Sequence, residues 1–177
     1  MTPPRLLVAG IGNIFLADDA FGPEVIKALA GRPLPAEVHV RDFGIRGLDL
    51  AYQLLDGYAA AVFVDAAPRG LAPGTLSLIE ADAPGLPDAT DTARHAPEAH
   101  GMDPVKVLAL AAHLGEGALP RVVVLACEPE AVPSADDPDV TVGLSAPVRD
   151  AVERAVPLLH TVVERLLADA GAALAAQ

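Results

Sequence analysis

Tryptophan is absent from this 177-residue chain, aromatic residues make up 3% of it, and cysteine occurs once. With Cys127 alone, an intramolecular disulfide and a cysteine-rich metal site are both excluded. No stretch approaches the ~20 apolar residues that a membrane span needs. Nothing resembles a signal peptide either: the first apolar run follows Met1-Thr2-Pro3-Pro4 and meets glycine within a few residues. These absences set the expectation of a cytosolic, cytoplasmic protein with no membrane partner. Basic residues are scarce too, twelve against twenty-four acidic ones, for a net charge of −12. Such a surface repels phosphate backbones and anionic lipid, which removes nucleic acid as a partner. Nucleophile motifs are also missing. None of Ser77, Ser134 and Ser145 sits in a G-x-S-x-G elbow, and H-E-x-x-H does not occur. Cys127 closes an apolar strand with nothing basic beside it, which reads as a small buried hydrophobe.

What is present is aliphatic: 52% of the residues are apolar, mostly Ala, Leu and Val, enough for a real core in one domain spanning residues 1–177. Strand-like runs are Arg5–Gly10, Glu37–Phe43, Ala60–Asp65, Thr75–Glu80 and Arg121–Cys127. Continuous apolar runs of this kind imply burial on both faces, hence a mainly parallel sheet covered by helices. Helical periodicity lies between them. Val25, Ile26 and Leu29 form one stripe ended by Gly31, and Leu48–Leu55 form a second helix ended by Gly57. Asp103-Pro104 makes a favourable helix start, carried by Val107, Leu108 and Ala111 to Gly115. A last helix runs from about Pro147 to Ala170, its inner face Val148, Val152, Val156, Leu159, Val163 and Leu166; Pro157 is expected to kink or split it. The alternation predicts an α/β fold, a three-layer α/β/α sandwich on a mainly parallel twisted sheet of about five strands. Two long connections, Ala81–Met102 and Pro129–Ser145, interrupt the pattern, and loops of that length are more often functional than idle.

Gly10-Ile11-Gly12 after the first strand invites a nucleotide reading, with Asp42 as the ribose acid. Phe15, however, stands where the third glycine of G-x-G-x-x-G belongs, and Asp18-Asp19 would repel a pyrophosphate at the helix start. A cation suits these acids better. Ligands in an open parallel sheet collect at the carboxyl ends of the strands, where the strand order reverses. Asp18 and Asp19 follow the first strand, Asp65 ends the strand Ala60–Val64, and His100 precedes the helix at Asp103. Two carboxylates and an imidazole fit a divalent ion such as zinc or nickel and leave a position open. Each residue also has a plainer role: Asp18 as a helix cap or supporting acid, Asp65 as a polar strand end, His100 as a loop histidine. His95, His113 and His160 read as ordinary.

Gly10-Ile11-Gly12-Asn13, four residues, then Asp18-Asp19 and Gly22 resembles the N-terminal signature of the hydrogenase maturation proteases. The resemblance continues through Asp42-Phe43-Gly44-Ile45-Arg46-Gly47, Val64-Asp65-Ala66 and His100-Gly101-Met102-Asp103-Pro104, then through Cys127-Glu128-Pro129-Glu130 and Gly143-Leu144-Ser145. It covers nearly the whole chain in order. It implies an α/β/α sandwich and an endopeptidase that trims the C-terminal extension of a nickel–iron hydrogenase large-subunit precursor. It also implies a nickel-recognition site of Asp19, Asp65 and His100, the nickel being carried by the substrate. Relatives often have glutamate at the Asp19 position and glycine at the Phe43 position. The peptide could be cut by a metal-polarised carbonyl, or by water activated by the metal or by an acid such as Asp42. Two other functions use the same residues: a non-catalytic nickel-binding checkpoint or chaperone, and a nucleotide-dependent enzyme built on Gly10–Gly12 and Asp42. The acidic pair Asp136-Asp137 could meet a basic tail.

Overall fold

Residues of alternating parity along each central strand enter different cores, because successive side chains leave a strand on opposite faces. In the computed structural model, which describes residues 4–81, 103–116, 118–131 and 141–176, the strands are β1 (Leu6–Ile11), β2 (Val38–Gly44), β3 (Ala60–Ala66), β4 (Leu76–Ala81) and β5 (Arg121–Cys127). The helices are α1 (Phe21–Leu29), α2 (Gly47–Gln53), α3 (Pro104–Leu114) and α4 (Ala146–Ala175). Leu6, Val8, Val62, Val64, Val123 and Leu125 pack against α1 and α4. Leu7, Ala9, Phe63, Val122, Val124 and Ala126 pack against α2 and α3. Two helix layers thus sandwich the sheet, and the apolar runs that fill β1, β3 and β5 are buried from both sides.

The strand order is β2-β1-β3-β5-β4, parallel except where β4 pairs antiparallel with β5. Antiparallel β4 lies at an edge, and Arg121 ties it to the last helix through Glu80 (2.6 Å) and Asp169 (2.9 Å). The chain leaves β1 toward β2 on one side and returns to β3 on the other, so the order reverses between β1 and β3.

Strand ends fall within a residue of the expected ones, the last helix runs five residues past the expected Ala170, and Asp103 caps α3 by accepting from the Val105 amide at 2.9 Å. Pro157 departs from expectation: α4 is one 30-residue helix, and the proline does not split it. The ring lies on the exposed side, while Val156 and Leu159 on either side are fully buried. Their packing holds the helix together across the missing N–H.

Candidate active site at the carboxyl rim

The turn after β1 owes its shape to close backbone packing. Gly12 has φ +142°, and a Cβ there would strike the Asp19 carbonyl oxygen; one on Gly22 would strike the carbonyl oxygens of Ile11 and Val64. These glycines let the 3-10 turn Ala17–Ala20 and the start of α1 sit directly on the ends of β1 and β3. Their faces are filled by protein backbone, which leaves them no role as a phosphate cradle.

Asp18 and Asp19 then diverge. Asp18 points inward and is fully buried. It accepts from the amides of Glu130 (2.8 Å), Ala131 (3.1 Å) and Ser145 (2.7 Å), and from the Ser145 hydroxyl (2.9 Å). Burial alone would raise its pKa, but these bonds, led by the Ser145 amide, outweigh it and hold the carboxyl below the usual range. The expected helix-cap role is therefore replaced: Asp18 caps no helix and instead clamps the segment after β5 and the residue that opens α4. Ser145 precedes α4 without capping it through its side chain, since its hydroxyl is spent on Asp18.

Asp19 is half-buried and accepts from the Asn13 amide at 2.7 Å. Burial raises its pKa and that hydrogen bond only partly offsets the rise. Asp65, delivered by the end of β3, is 6% exposed. Burial pushes its carboxyl well above the ordinary range, the Asp19 charge pushes it further, the Ala66 amide pulls it down and Asp103 raises it again. The fold thus sets Asp19 and Asp65 at the β1/β3 reversal, with Asp103 near enough for its charge to act weakly on Asp65, and among the described residues no cation pairs with any of them. Carboxylates held together this way oppose their own ionisation and favour an incoming positive charge.

Asp42 lies two residues before the end of β2 on the same rim, opposite Gly10 in the register. Its Oδ1 accepts from the Gly44 amide at 2.8 Å and its carboxylate is exposed. It is not among the charges that perturb Asp65, so it stands outside the Asp19–Asp65–Asp103 group. Phe43 is fully buried beneath the Arg41 guanidinium, 5.4 Å from its ring centroid, at the bulge where the β1–β2 register shifts.

His100, His95, Ser134 and Asp136-Asp137 lie outside the described residues. Among the described residues no three His, Cys, Asp or Glu side chains form a group able to hold a metal. His160 reaches the carbonyls of Val156 and Pro33 at the amino ends of the strands, away from the acids. Cys127 is buried, and burial pushes its thiol up to about 11, so it offers no nucleophile at neutral pH. Two roles escaped the sequence reading. Asp103 joins the acid group as well as capping α3. Glu128, 6% exposed, accepts from the amides of Arg69 (2.7 Å) and Gly70 (3.2 Å) and shapes the loop after β3. An acid directly following an apolar strand, as Asp65 does, was the available signal for Glu128.

Comparison with known proteins supplies the context for this rim. Residues 23–162 match the family described as hydrogenase maturation protease. The hydrogenase expression/formation protein HoxM of Azotobacter vinelandii is 34% identical over all of this chain and 79% of its own length. A hydrogenase 2 maturation peptidase from a Thaumarchaeota archaeon superposes with TM-score 0.65 at 31% identity, over 90% of this chain and 98% of that one. The hydrogenase maturating endopeptidase HybD from E. coli shares the fold, with TM-score 0.68 at 24% identity over 91% and 93% of the two chains.

Proposed function

The chain belongs to the hydrogenase maturation protease family and is an endopeptidase that processes a hydrogenase large-subunit precursor, and from that premise we propose how its rim recognises the substrate. Asp19, Asp65 and His100 together engage a nickel ion carried by the precursor, so that only a loaded large subunit is held for cutting. The observation that carries this reading is the acid pair at the β1/β3 reversal: two carboxyls raised by burial, Asp65 further by the Asp19 charge, with no cation of their own among the described residues. A divalent ion brought by the partner relieves that repulsion and ionises both acids. The third ligand is drawn from the connection before α3. His100 is three residues from Asp103, a tether of about 11 Å at most, and Asp103 already lies close enough to act on Asp65.

In this scheme the ion is part of the substrate, and its seating places the scissile peptide over the strand ends. Asp19, Asp65 and His100 would hold the ion, which would supply Lewis-acid polarisation of the carbonyl or of a water, and the exposed Asp42 carboxylate one strand away is the alternative base for that water.

The test incubates the purified protein with unprocessed large subunit, with and without nickel, and follows product mass. Loss of a C-terminal peptide that requires nickel and is abolished in His100→Ala is the expected result. Cleavage of a nickel-free precursor at the same rate would overturn metal recognition; binding without any cleavage would identify a checkpoint.

A further inference from the structure

Eleven large apolar side chains are exposed among the described residues, and they are not spread evenly. Seven lie at the carboxyl ends of the parallel strands, one of them, Leu71, in the connection from β3 to the edge strand β4. Ile14 and Phe15 (59% exposed) lie in the turn after β1, and Ile45 and Leu48 follow β2. Val105 is in the first turn of α3, beside Asp103, and Val142 (70% exposed) adjoins Thr141, whose carbonyl accepts from the Ala17 amide at 2.8 Å. These six therefore lie on the same rim as Asp19, Asp65 and Asp103, at its β1, β2, α3 and α4 sides. Exposed apolar residues gathered at one place mark an interaction surface, whereas scattered ones need no explanation.

We propose that these six residues form the docking collar for the folded body of the large-subunit precursor, which meets them with an apolar surface of its own around a positively charged centre. The inference rests on the family activity given above and adds the surface that binds the partner. Charge decides between occupants. A second copy related by twofold symmetry would bring its own Asp19 and Asp65 against these, in a chain of net charge −12. An anionic lipid surface meets the same repulsion. A partner with a cationic centre and an apolar surround satisfies both parts of the rim at once.

The test measures binding of purified, unprocessed precursor to wild type, Phe15→Asp, Ile45→Glu and the control Leu78→Asp, an equally apolar exposed site on β4. Melting curves of each free protein and processing at saturating precursor accompany it. Burying either rim side chain implies a Kd increase of about tenfold on its replacement by an acid. The expected pattern is that increase for Phe15→Asp and Ile45→Glu, processing at saturation within about twofold of wild type, unchanged melting, and no effect of Leu78→Asp. Unchanged affinity in both rim variants would overturn the collar, as would equal weakening by Leu78→Asp. A drop in melting temperature matching the loss of affinity would also overturn it, by showing that the chain covers these residues itself. Wild type that binds precursor without cutting it would remove the peptidase activity while leaving the collar supported.

Discussion

Asp65 is destabilising where it stands. Its folded-state pKa lies well above the unfolded value, through burial first and Asp19 second. The sign of its contribution follows: folding binds its proton, so the stabilisation is complete below the unfolded value of about 3.9 and is lost as pH rises through the raised folded value. At neutral pH the metal-free protein carries that penalty. Asp65→Asn should therefore raise the stability of the metal-free protein at pH 7, measured by denaturant titration, and abolish nickel-dependent processing. Such opposite responses are characteristic of a residue kept for function at a cost in stability. A variant that lost stability together with activity would show Asp65 to be a structural acid.

At the scale of elements, the neighbouring carboxylate does the reverse. Asp18 joins the turn before α1 to the segment after β5 and to the start of α4, elements far apart in sequence. Asp18→Ala leaves three buried or half-buried amides without their acceptor, a loss of about 3 kcal/mol. The effect should appear in chemical denaturation and as faster hydrogen exchange at Glu130, Ala131 and Ser145. Because its folded pKa is lowered, the Asp18 contribution is present above about pH 3.9 and disappears as pH falls through the folded value. Acidification thus weakens the clamp while relieving the rim. Exchange protection at 130–131 and 145 that survived Asp18→Ala would disprove the clamp.

For the whole molecule, an excess of twelve negative charges is opposed by few ion pairs, and the four among the described residues are all exposed. Screening costs little in such pairs and relieves the general repulsion. Raising salt from about 20 mM to about 0.5 M should lift the melting temperature by a few degrees. A fall would mean that the surface pairs matter more than the net charge. The same repulsion surrounds the rim, so binding of a partner with a cationic centre should weaken as salt rises.

The local pattern alone determined the five strands, the capped start of α3 and the two-sided burial of β1, β3 and β5, because side-chain period and capping chemistry are short-range. It also brought Asp19 and Asp65 to one edge, since both follow apolar parallel strands. Pro157 misled because the packing of Val156 and Leu159 lies outside any local rule. What only the tertiary structure decided is how two adjacent acids divide their work. Asp18 and Asp19 are one bond apart in sequence, yet one faces the amides of Glu130, Ala131 and Ser145 and the other faces Asp65. Hydrogen-bond donors lower a carboxyl and burial raises it, and both are set by residues that no reading along the chain places beside these two acids.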